Sequence, residues 1–152
     1  MTVVYAKESI PKTEEFKLFL AGPLPRVKGE KTWREEVKEF FKNSKIILLT
    51  PELRDNKYEE GILEKESQIL WEHEAMTHAD FILFWIPRTK ENLGLTTNEE
   101  FGYWKALRPS KMIVGIPPNS FRTDYQKFWT KKLKIPFFET LQDTLKYTQS
   151  LL

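Results

Sequence analysis

The sequence predicts an α/β protein organised around a parallel sheet. Short apolar runs alternate along the chain with segments in which apolar residues recur at helical spacing. The apolar runs are continuous, as expected for strands that are covered on both faces. Each of the longer runs is closed by glycine or proline, which mark turns. These observations predict one flavodoxin-like or Rossmann-like domain over residues 1–152, with about five parallel strands and helices on both faces.

The first predicted strand, Phe16–Ala21, ends in a turn of backbone-restricting residues. Residues 22–26 read Gly-Pro-Leu-Pro-Arg. Glycine lets the backbone approach a ligand closely, and proline stiffens the loop. The turn is therefore either part of a ligand site or a plain connection to the next helix. Upstream, residues 1–15 are polar and contain proline, and we expect them to be flexible or to add an edge strand at Thr2–Tyr5.

The first predicted helix begins at Thr32 or Trp33. Thr32 and Glu35 have the spacing of a capping box, in which each side chain satisfies a free backbone N–H of the first turn. Apolar residues at helical spacing predict the helix face that covers the sheet: Trp33, Val37, Phe40 and Phe41. The strand Ile46–Thr50 follows, and Pro51 ends it.

A long charged loop, residues 51–64, separates this strand from the second predicted helix, residues 65–78. Loops of this length in a small domain are usually functional or mobile. The helix is expected to present an apolar stripe that contains Met76 together with Ile69 or Leu70.

The strand Phe81–Ile86 comes next and is closed by Pro87. Asp80 lies at the amino end of this strand, whereas ligands of open parallel sheets bind outside the carboxyl ends. We therefore expect Asp80 to be structural. After a polar loop, a third helix is predicted to begin at Thr96 or Thr97.

Two adjacent carboxylates, Glu99 and Glu100, are predicted to lie in the first turn of this third helix. Thr96 with Glu99, or Thr97 with Glu100, fits the capping box. A helix N-terminus also stabilises an anion by about 0.3–1 kcal/mol. Only one of the two carboxylates can serve a given N-cap, so the other is a candidate for chemistry. The spacing alone leaves both interpretations, helix cap and catalytic residue, open.

The last third of the chain continues the alternation of strands and helices. It predicts a strand at 111–116, a helix at 124–134, a short strand at 136–138 and an amphipathic helix at 140–152 with Leu141, Leu145 and Thr148 on one face. With the strands numbered from Phe16–Ala21, the expected order is 2-1-3-4-5. This order gathers the loops after Ala21, Thr50, Pro87 and Pro117 at one edge of the sheet.

The composition excludes several classes of protein. The chain has 24 basic and 22 acidic residues and a formal net charge of +2, which is too balanced for an electrostatic binder of nucleic acid polymers. No apolar run approaches the roughly 20 residues that span a membrane. Cysteine is absent, and the N-terminus lacks the apolar core of a signal peptide. We therefore expect a cytoplasmic protein without a membrane partner.

Several short motifs, in this order, resemble those of the nucleoside 2-deoxyribosyltransferase family. They are Phe19-Leu20-Ala21-Gly22-Pro23, Trp71-Glu72, Ala79-Asp80, Phe84-Trp85-Ile86-Pro87 and Thr97-Asn98-Glu99-Glu100-Phe101-Gly102-Tyr103. The resemblance covers roughly residues 16–116. It implies an enzyme that acts on a small-molecule nucleoside or nucleotide and a nucleobase, needs no metal or other cofactor, and forms a homo-oligomer.

The resemblance also assigns residues to roles. The nucleophile of the family is the glutamate of a Glu-x-Gly motif, which is Glu100 here. The second acid of the family lies eight residues before the acid that opens the central strand, and counting back from Asp80 gives Glu72 where typical members carry aspartate. The residues expected to contact the substrate are Gly22, Pro23, Arg26, Trp71, Pro87, Asn98 and Glu99.

Aromatic residues and a glycine around these motifs have two possible roles each. Trp33, Trp71 and Trp85 are expected either to stack on the base or to fill the core. Tyr103 either braces the nucleophile or packs against its helix, and Gly102 is expected to let the helix pack closely against its neighbours.

The chain departs from typical members of the family in the loop before Glu100. That loop, residues 88–98, is long and partly basic where typical members carry an acidic loop, and the last residues lack their aromatic tail. Arg26 and Arg88 either favour a 5′-phosphate, as in related nucleotide N-hydrolases, or are surface charges. Three functions stay open: transfer of deoxyribose between bases, hydrolysis of (deoxy)nucleoside 5′-monophosphates, and nucleotide binding without turnover.

Overall fold

A computed structural model describes residues 1–24, 32–54 and 62–152, the side chains of residues 62–64 excepted. The chain falls into two compact units, Met1–Leu20 with Val27–Phe81 and Ala21–Arg26 with Ile82–Leu152. In both units parallel strands alternate with helices. The predicted α/β class is therefore confirmed.

The first unit contains three parallel strands in the order β1-β3-β2. Its elements are β1 Thr2–Tyr5, β2 Lys17–Ala21, α1 Trp33–Phe41, β3 Ile47–Thr50 and α2 Ile62–His78. Leu48 of β3 is in register with Val3 on one side and Leu18 on the other. The N-terminal segment thus forms the edge strand that was one of its two expected states, which adds a strand to the expected five or so.

The helix α1 begins where the sequence predicts. The hydroxyl of Thr32 accepts a hydrogen bond from the backbone N–H of Arg34 at 3.2 Å. The carboxylate of Glu35 accepts from Lys38 at 2.7 Å. The N-cap is therefore confirmed, but its bond is to the second residue of the helix and not to Glu35, the third residue, as a capping box requires.

The buried face of α2 differs from the predicted stripe. Ile69 and Leu70 are 60% and 70% exposed, whereas Trp71, Ala75 and Met76 are buried. The prediction is therefore correct for Met76 and wrong for Ile69 and Leu70. Trp71 has the largest side chain on the helix, and its indole N–H donates to a backbone carbonyl, so burying it leaves no unpaired donor. Residues 55–61 of the predicted loop lie outside the described residues.

Asp80, the residue before Phe81, is joined to the start of β2 through two hydrogen bonds to the backbone of Lys17. Its carboxylate accepts from the backbone N–H of Lys17 at 2.8 Å, and its own N–H donates to the carbonyl of Lys17 at 2.9 Å. Beside this pair, the rings of Phe16 and Phe81 stack with centroids 5.8 Å apart. The predicted structural role of Asp80 is confirmed.

The second unit contains parallel strands in the order β4-β5-β6. Its elements are β4 Phe81–Trp85, α3 Leu95–Leu107, β5 Met112–Gly115, α4 Asp124–Lys132, β6 Phe137–Phe138 and α5 Leu141–Gln149. On α5 the predicted face is confirmed, because Leu141, Leu145 and Thr148 are all buried. None of the helices in the described ranges combines the length and apolarity of a membrane span.

Candidate functional site

The helix that carries the two adjacent carboxylates begins earlier than its sequence predicts. Gly94 is its N-cap, in the left-handed conformation with φ of 57°, and the backbone N–H of Asn98 donates to the Gly94 carbonyl at 3.2 Å. The predicted start at Thr96 or Thr97 is therefore wrong. Glu99 and Glu100 lie in the second turn, so neither of them caps the helix. Thr96 and Thr97 gave a wrong prediction of the N-cap, because the helix is capped by a left-handed glycine that uses no side-chain hydrogen bond.

The turn after β2 packs against the loop that leads into α3. A Cβ atom placed on Gly94 would lie 2.8 Å from Cγ of Pro23, so only glycine fits here without a shift. The side-chain amide of Asn92 donates to the carbonyl of Leu24 at 2.9 Å. Gly22 and Pro23, both predicted to contact substrate, thus lie beside the loop that positions α3.

A buried arginine follows the end of β4. Arg88 is 6% exposed, and its guanidinium donates to the Arg122 carbonyl at 2.8 Å and to the side-chain oxygen of Asn98. The same Asn98 oxygen accepts from the amide of Gln126 at 2.8 Å. Burial lowers the pKa of Arg88. Because Arg88 is buried, it is not a surface charge, which was one of its two expected roles. The side-chain oxygen of Asn98 is bonded to Arg88 and Gln126.

The described residues of the second unit form a cavity of about 390 Å³ beside this network. It is lined by Arg88, Lys90, Leu93, Leu95, Asn98, Phe121 and Arg122. Three of these side chains are cationic, and no carboxylate is among them. The volume falls within the range of roughly 300–1,000 Å³ that is usual for small-molecule sites.

Glu72 lies on the buried face of α2 in the first unit. The residue is 8% exposed, and its carboxylate accepts from the amide of Gln68 at 2.9 Å. Gln68 also donates to the carbonyl of Pro51 at 3.1 Å, which fixes its orientation. Burial raises the pKa of Glu72, and the Gln68 bond and the charge of Arg34 offset only part of this rise. A carboxyl in such surroundings is suited to holding and donating a proton.

Trp71, the neighbour of Glu72, is a core residue in the first unit. Its indole N–H donates to the Glu8 carbonyl at 2.6 Å, and its ring lies 6.5 Å from that of Phe19. It is only 8% exposed. Of its two expected roles, these contacts favour core packing over stacking on a base.

A second buried carboxylate of the first unit, Glu52, is surrounded by donors. It accepts from the hydroxyl of Thr32 at 2.7 Å, from Lys38 at 3.1 Å and from the hydroxyl of Thr50 at 3.3 Å. Its burial alone would raise its pKa, but the charge of Arg34 and the bonds from Thr32 and Lys38 outweigh this effect and lower the pKa. Sequence reasoning did not identify this cluster.

The remaining predicted site residues are placed as follows. Glu100 and Pro87 are half-buried and Glu99 is exposed, all in the second unit, while Arg26 lies outside the described residues. Tyr103 is 48% exposed and meets the Trp104 ring edge-on at 5.2 Å. In the described ranges, no cluster of three or more His, Asp or Glu side chains could hold a metal ion.

Gly102 does not have its expected packing role. A Cβ atom at Gly102 would meet no atom of the described residues within 4 Å. The close helix packing that the sequence predicted for this glycine is therefore wrong. Gly115, like Gly94, does permit a close approach, because a Cβ there would lie 2.5 Å from the Trp85 ring. Trp85 is 7% exposed and belongs to the core of its unit.

Sequence reasoning missed Lys90, Phe121, Arg122 and Gln126. They come from two loops and a helix, and the structure brings them to Arg88 and Asn98. No local motif marks them, because their relation to Arg88 is set by the path of two separate loops.

Comparison with known proteins identifies a family. The sequence model of a family described as nucleoside 2-deoxyribosyltransferase like matches residues 15–120, more than two-thirds of the chain. The chain therefore belongs to this family, and the resemblance seen in the motifs is confirmed. No curated protein matches the chain.

Proposed function

We propose that this member of the family cleaves the N-glycosidic bond of 2′-deoxynucleosides and transfers the deoxyribosyl group to another base. Glu100 is the nucleophile and Glu72 is the acid on the side of the base. The observation that supports the proposal best is the burial of Glu72, which raises its pKa, on a residue to which the resemblance assigns an acid.

The first half-reaction forms a glycosyl ester. A carboxylate oxygen of Glu100 attacks C1′ of the sugar through an oxocarbenium-like transition state, and the C1′–N bond breaks with its electron pair on the base. Glu72 gives its proton to the departing base. The raised pKa of Glu72 suits it to the role of the acid in this step.

The second half-reaction resolves the ester. A nitrogen of the acceptor base attacks C1′, the ester bond to Glu100 breaks, and the carboxylate is regenerated. The proton lost by the acceptor returns to Glu72. Attack by water in place of the base gives hydrolysis from the same intermediate. Two inversions at C1′ leave the configuration of the new nucleoside unchanged.

A second candidate is hydrolysis of (deoxy)nucleoside 5′-monophosphates with the same glutamate as nucleophile. It is favoured by the cationic cavity of Arg88, Lys90 and Arg122 in the unit that carries Glu100. Arginine side chains suit phosphate because their planar forks match two of its oxygens.

The first experiment offers the purified protein 2′-deoxynucleosides and their 5′-monophosphates, with and without a second free base, and separates the products by chromatography. A new nucleoside that appears only with an acceptor base supports transfer. Free base without exchange supports the hydrolase. Ligand binding without any product in a single-turnover experiment would identify a nucleotide-binding protein without turnover and would overturn both enzyme proposals.

The variant Glu100→Gln tests the nucleophile. Removing a covalent nucleophile is expected to lower kcat roughly 10⁴-fold or more. Circular dichroism and urea unfolding should match the wild type, because the amide keeps the shape of the side chain. Mass spectrometry of the quenched wild-type reaction should find one deoxyribosyl group on the peptide that contains Glu100. The matched control is Glu139→Gln, an exposed carboxylate of the same unit, and turnover by Glu100→Gln at the control rate would refute the assignment.

A further inference from the structure

The cavity beside Arg88 has the properties of an anion site. Three cationic side chains line it, Arg88, Lys90 and Arg122, and no carboxylate is among the lining residues. Within the described residues, none of the three forms a salt bridge. Like charges held close together repel each other, and an anion between them removes this repulsion.

Arg88 is fixed in place and is not fully satisfied. Its two terminal nitrogens donate to the Arg122 carbonyl and to Asn98, and the backbone N–H of Phe121 donates to the Arg88 carbonyl at 2.9 Å. Its Nε atom is buried and has no hydrogen-bond partner among the described residues. A buried cation with an unused donor is costly, so its position beside the cavity indicates a polar ligand.

Lys90 and Arg122 both lie over the ring of Phe121 and are accessible to solvent. The ammonium of Lys90 lies 5.9 Å from the centre of the Phe121 ring, and the guanidinium of Arg122 lies 5.1 Å from it. Both residues are exposed. Cation–π contact orients the two cations without supplying an anion to pair with them, so both remain available to a ligand.

We infer that this cavity binds a phosphate group through Lys90 and Arg122, with Arg88 supplying a third, buried charge. The phosphate is either the 5′-phosphate of the substrate or a separate phosphate ion. The apolar Leu93 and Leu95, which line the same cavity, offer a surface for an uncharged part of the first kind of ligand. Only this first alternative rests on a proposed function, namely the second candidate, hydrolysis of 5′-monophosphates.

The test is phosphate binding measured by calorimetry at constant ionic strength with inorganic phosphate as the probe. The variant Lys90→Gln/Arg122→Gln removes two accessible charges, and its matched control, Lys131→Gln/Lys132→Gln, removes two charges from the exposed end of α4. Wild type and control are expected to bind with the same Kd. The cavity variant should bind phosphate roughly tenfold to a hundredfold more weakly, because the hydrogen bonds from the charged groups of Lys90 and Arg122 to the phosphate are lost. Equal binding by the cavity variant, or no binding by the wild type at millimolar phosphate, overturns the inference.

A second measurement identifies the source of the phosphate. If it belongs to the substrate, a deoxynucleoside 5′-monophosphate binds more tightly than the deoxynucleoside, phosphate competes with it, and the cavity variant abolishes the difference. If it is a separate ion, nucleoside and monophosphate bind equally and phosphate binds alongside them. Phosphate binding needs no turnover, so intact binding without base release would refute the proposed function and leave the cavity assignment standing.

Discussion

Two carboxylates of the first unit, Glu52 and Glu72, are both buried, but their pKa values are shifted in opposite directions. They are 4% and 8% exposed. Burial raises the pKa of Glu72, which has an amide donor from Gln68. Burial has the same tendency at Glu52, but the Arg34 charge, the Thr32 hydroxyl and the Lys38 ammonium together lower its pKa.

The comparison teaches that burial by itself does not give a carboxyl its role. What decides the role is the number and charge of its donors. Glu52 accepts hydrogen bonds from three side chains and so joins the start of α1 to the end of β3. Glu72 is nearly as buried with fewer donors, and a raised pKa in such a place is typical of functional carboxyls. Four experiments test this contrast.

The largest expected effect is on activity, in Glu72→Gln. Removal of the proposed acid should lower kcat roughly 10²-fold to 10⁴-fold. The stability of the fold should not fall at neutral pH, because the amide keeps an oxygen for Gln68 and carries no charge to desolvate. Steady-state kinetics and urea unfolding measure the two quantities, with the exposed Glu74→Gln as the control on the same helix. Unchanged kcat would remove Glu72 from the mechanism.

The next effect is on stability, in Glu52→Gln. This change removes the buried partner of Lys38 and the negative charge that attracts the buried Arg34. The free energy of unfolding should therefore fall by about 3 kcal/mol. Urea unfolding at pH 7 measures it. The control is Glu39→Gln, which breaks the exposed pair with Lys42 and should cost less than about 1 kcal/mol. Equal losses in the two variants would contradict the comparison.

The pH dependence of stability should have opposite signs at the two sites. Glu52 has a lowered pKa, so its contribution is present above its ordinary value of 4.5 and is lost as the pH falls through the folded-state pKa. Glu72 has a raised pKa, so the folded state binds its proton more tightly, and its contribution is present below 4.5 and is lost as the pH rises through the folded-state pKa.

Urea unfolding of wild type and variants over a pH series separates these contributions. The deficit of Glu52→Gln should shrink as the pH falls below 4.5, and Glu72→Gln should gain relative to wild type as the pH rises above 4.5. Parallel curves for the two variants would show that their surroundings do not differ as described.

The smallest effect is expected in Gln68→Met. The bond from Gln68 lowers the pKa of Glu72, so its removal should raise that pKa further and shift the alkaline limb of the rate profile to higher pH. The maximal rate should change less than roughly tenfold, and loss of the bond to Pro51 should cost about 1 kcal/mol. Profiles of kcat against pH test this, with the exposed Gln149→Met as the control. A profile that does not move would separate Gln68 from the titration of Glu72.

The sequence pattern correctly predicted those strands and helix caps that depend only on residues close together along the chain. The strand at Ile46–Thr50 and the cap at Thr32 were found because continuous apolar runs and cap residues act locally. The start of α3 was not found, because its N-cap is Gly94 in the left-handed conformation, which offers no side chain as a cap. Ile69 and Leu70 misled because only the surroundings of α2 decide which of its apolar residues are covered.

The sequence by itself determined the α/β class through local periodicity and the family through its ordered motifs. The proposal that Glu72 and Glu100 are catalytic also comes from the sequence, through the family resemblance. Only the tertiary structure decided that Glu72 is buried with a raised pKa, that Arg88 is not a surface charge, and that Lys90 and Arg122 share a cavity with it. The physical reason is that desolvation and charge clustering depend on segments distant in sequence, and no spacing along the chain records them.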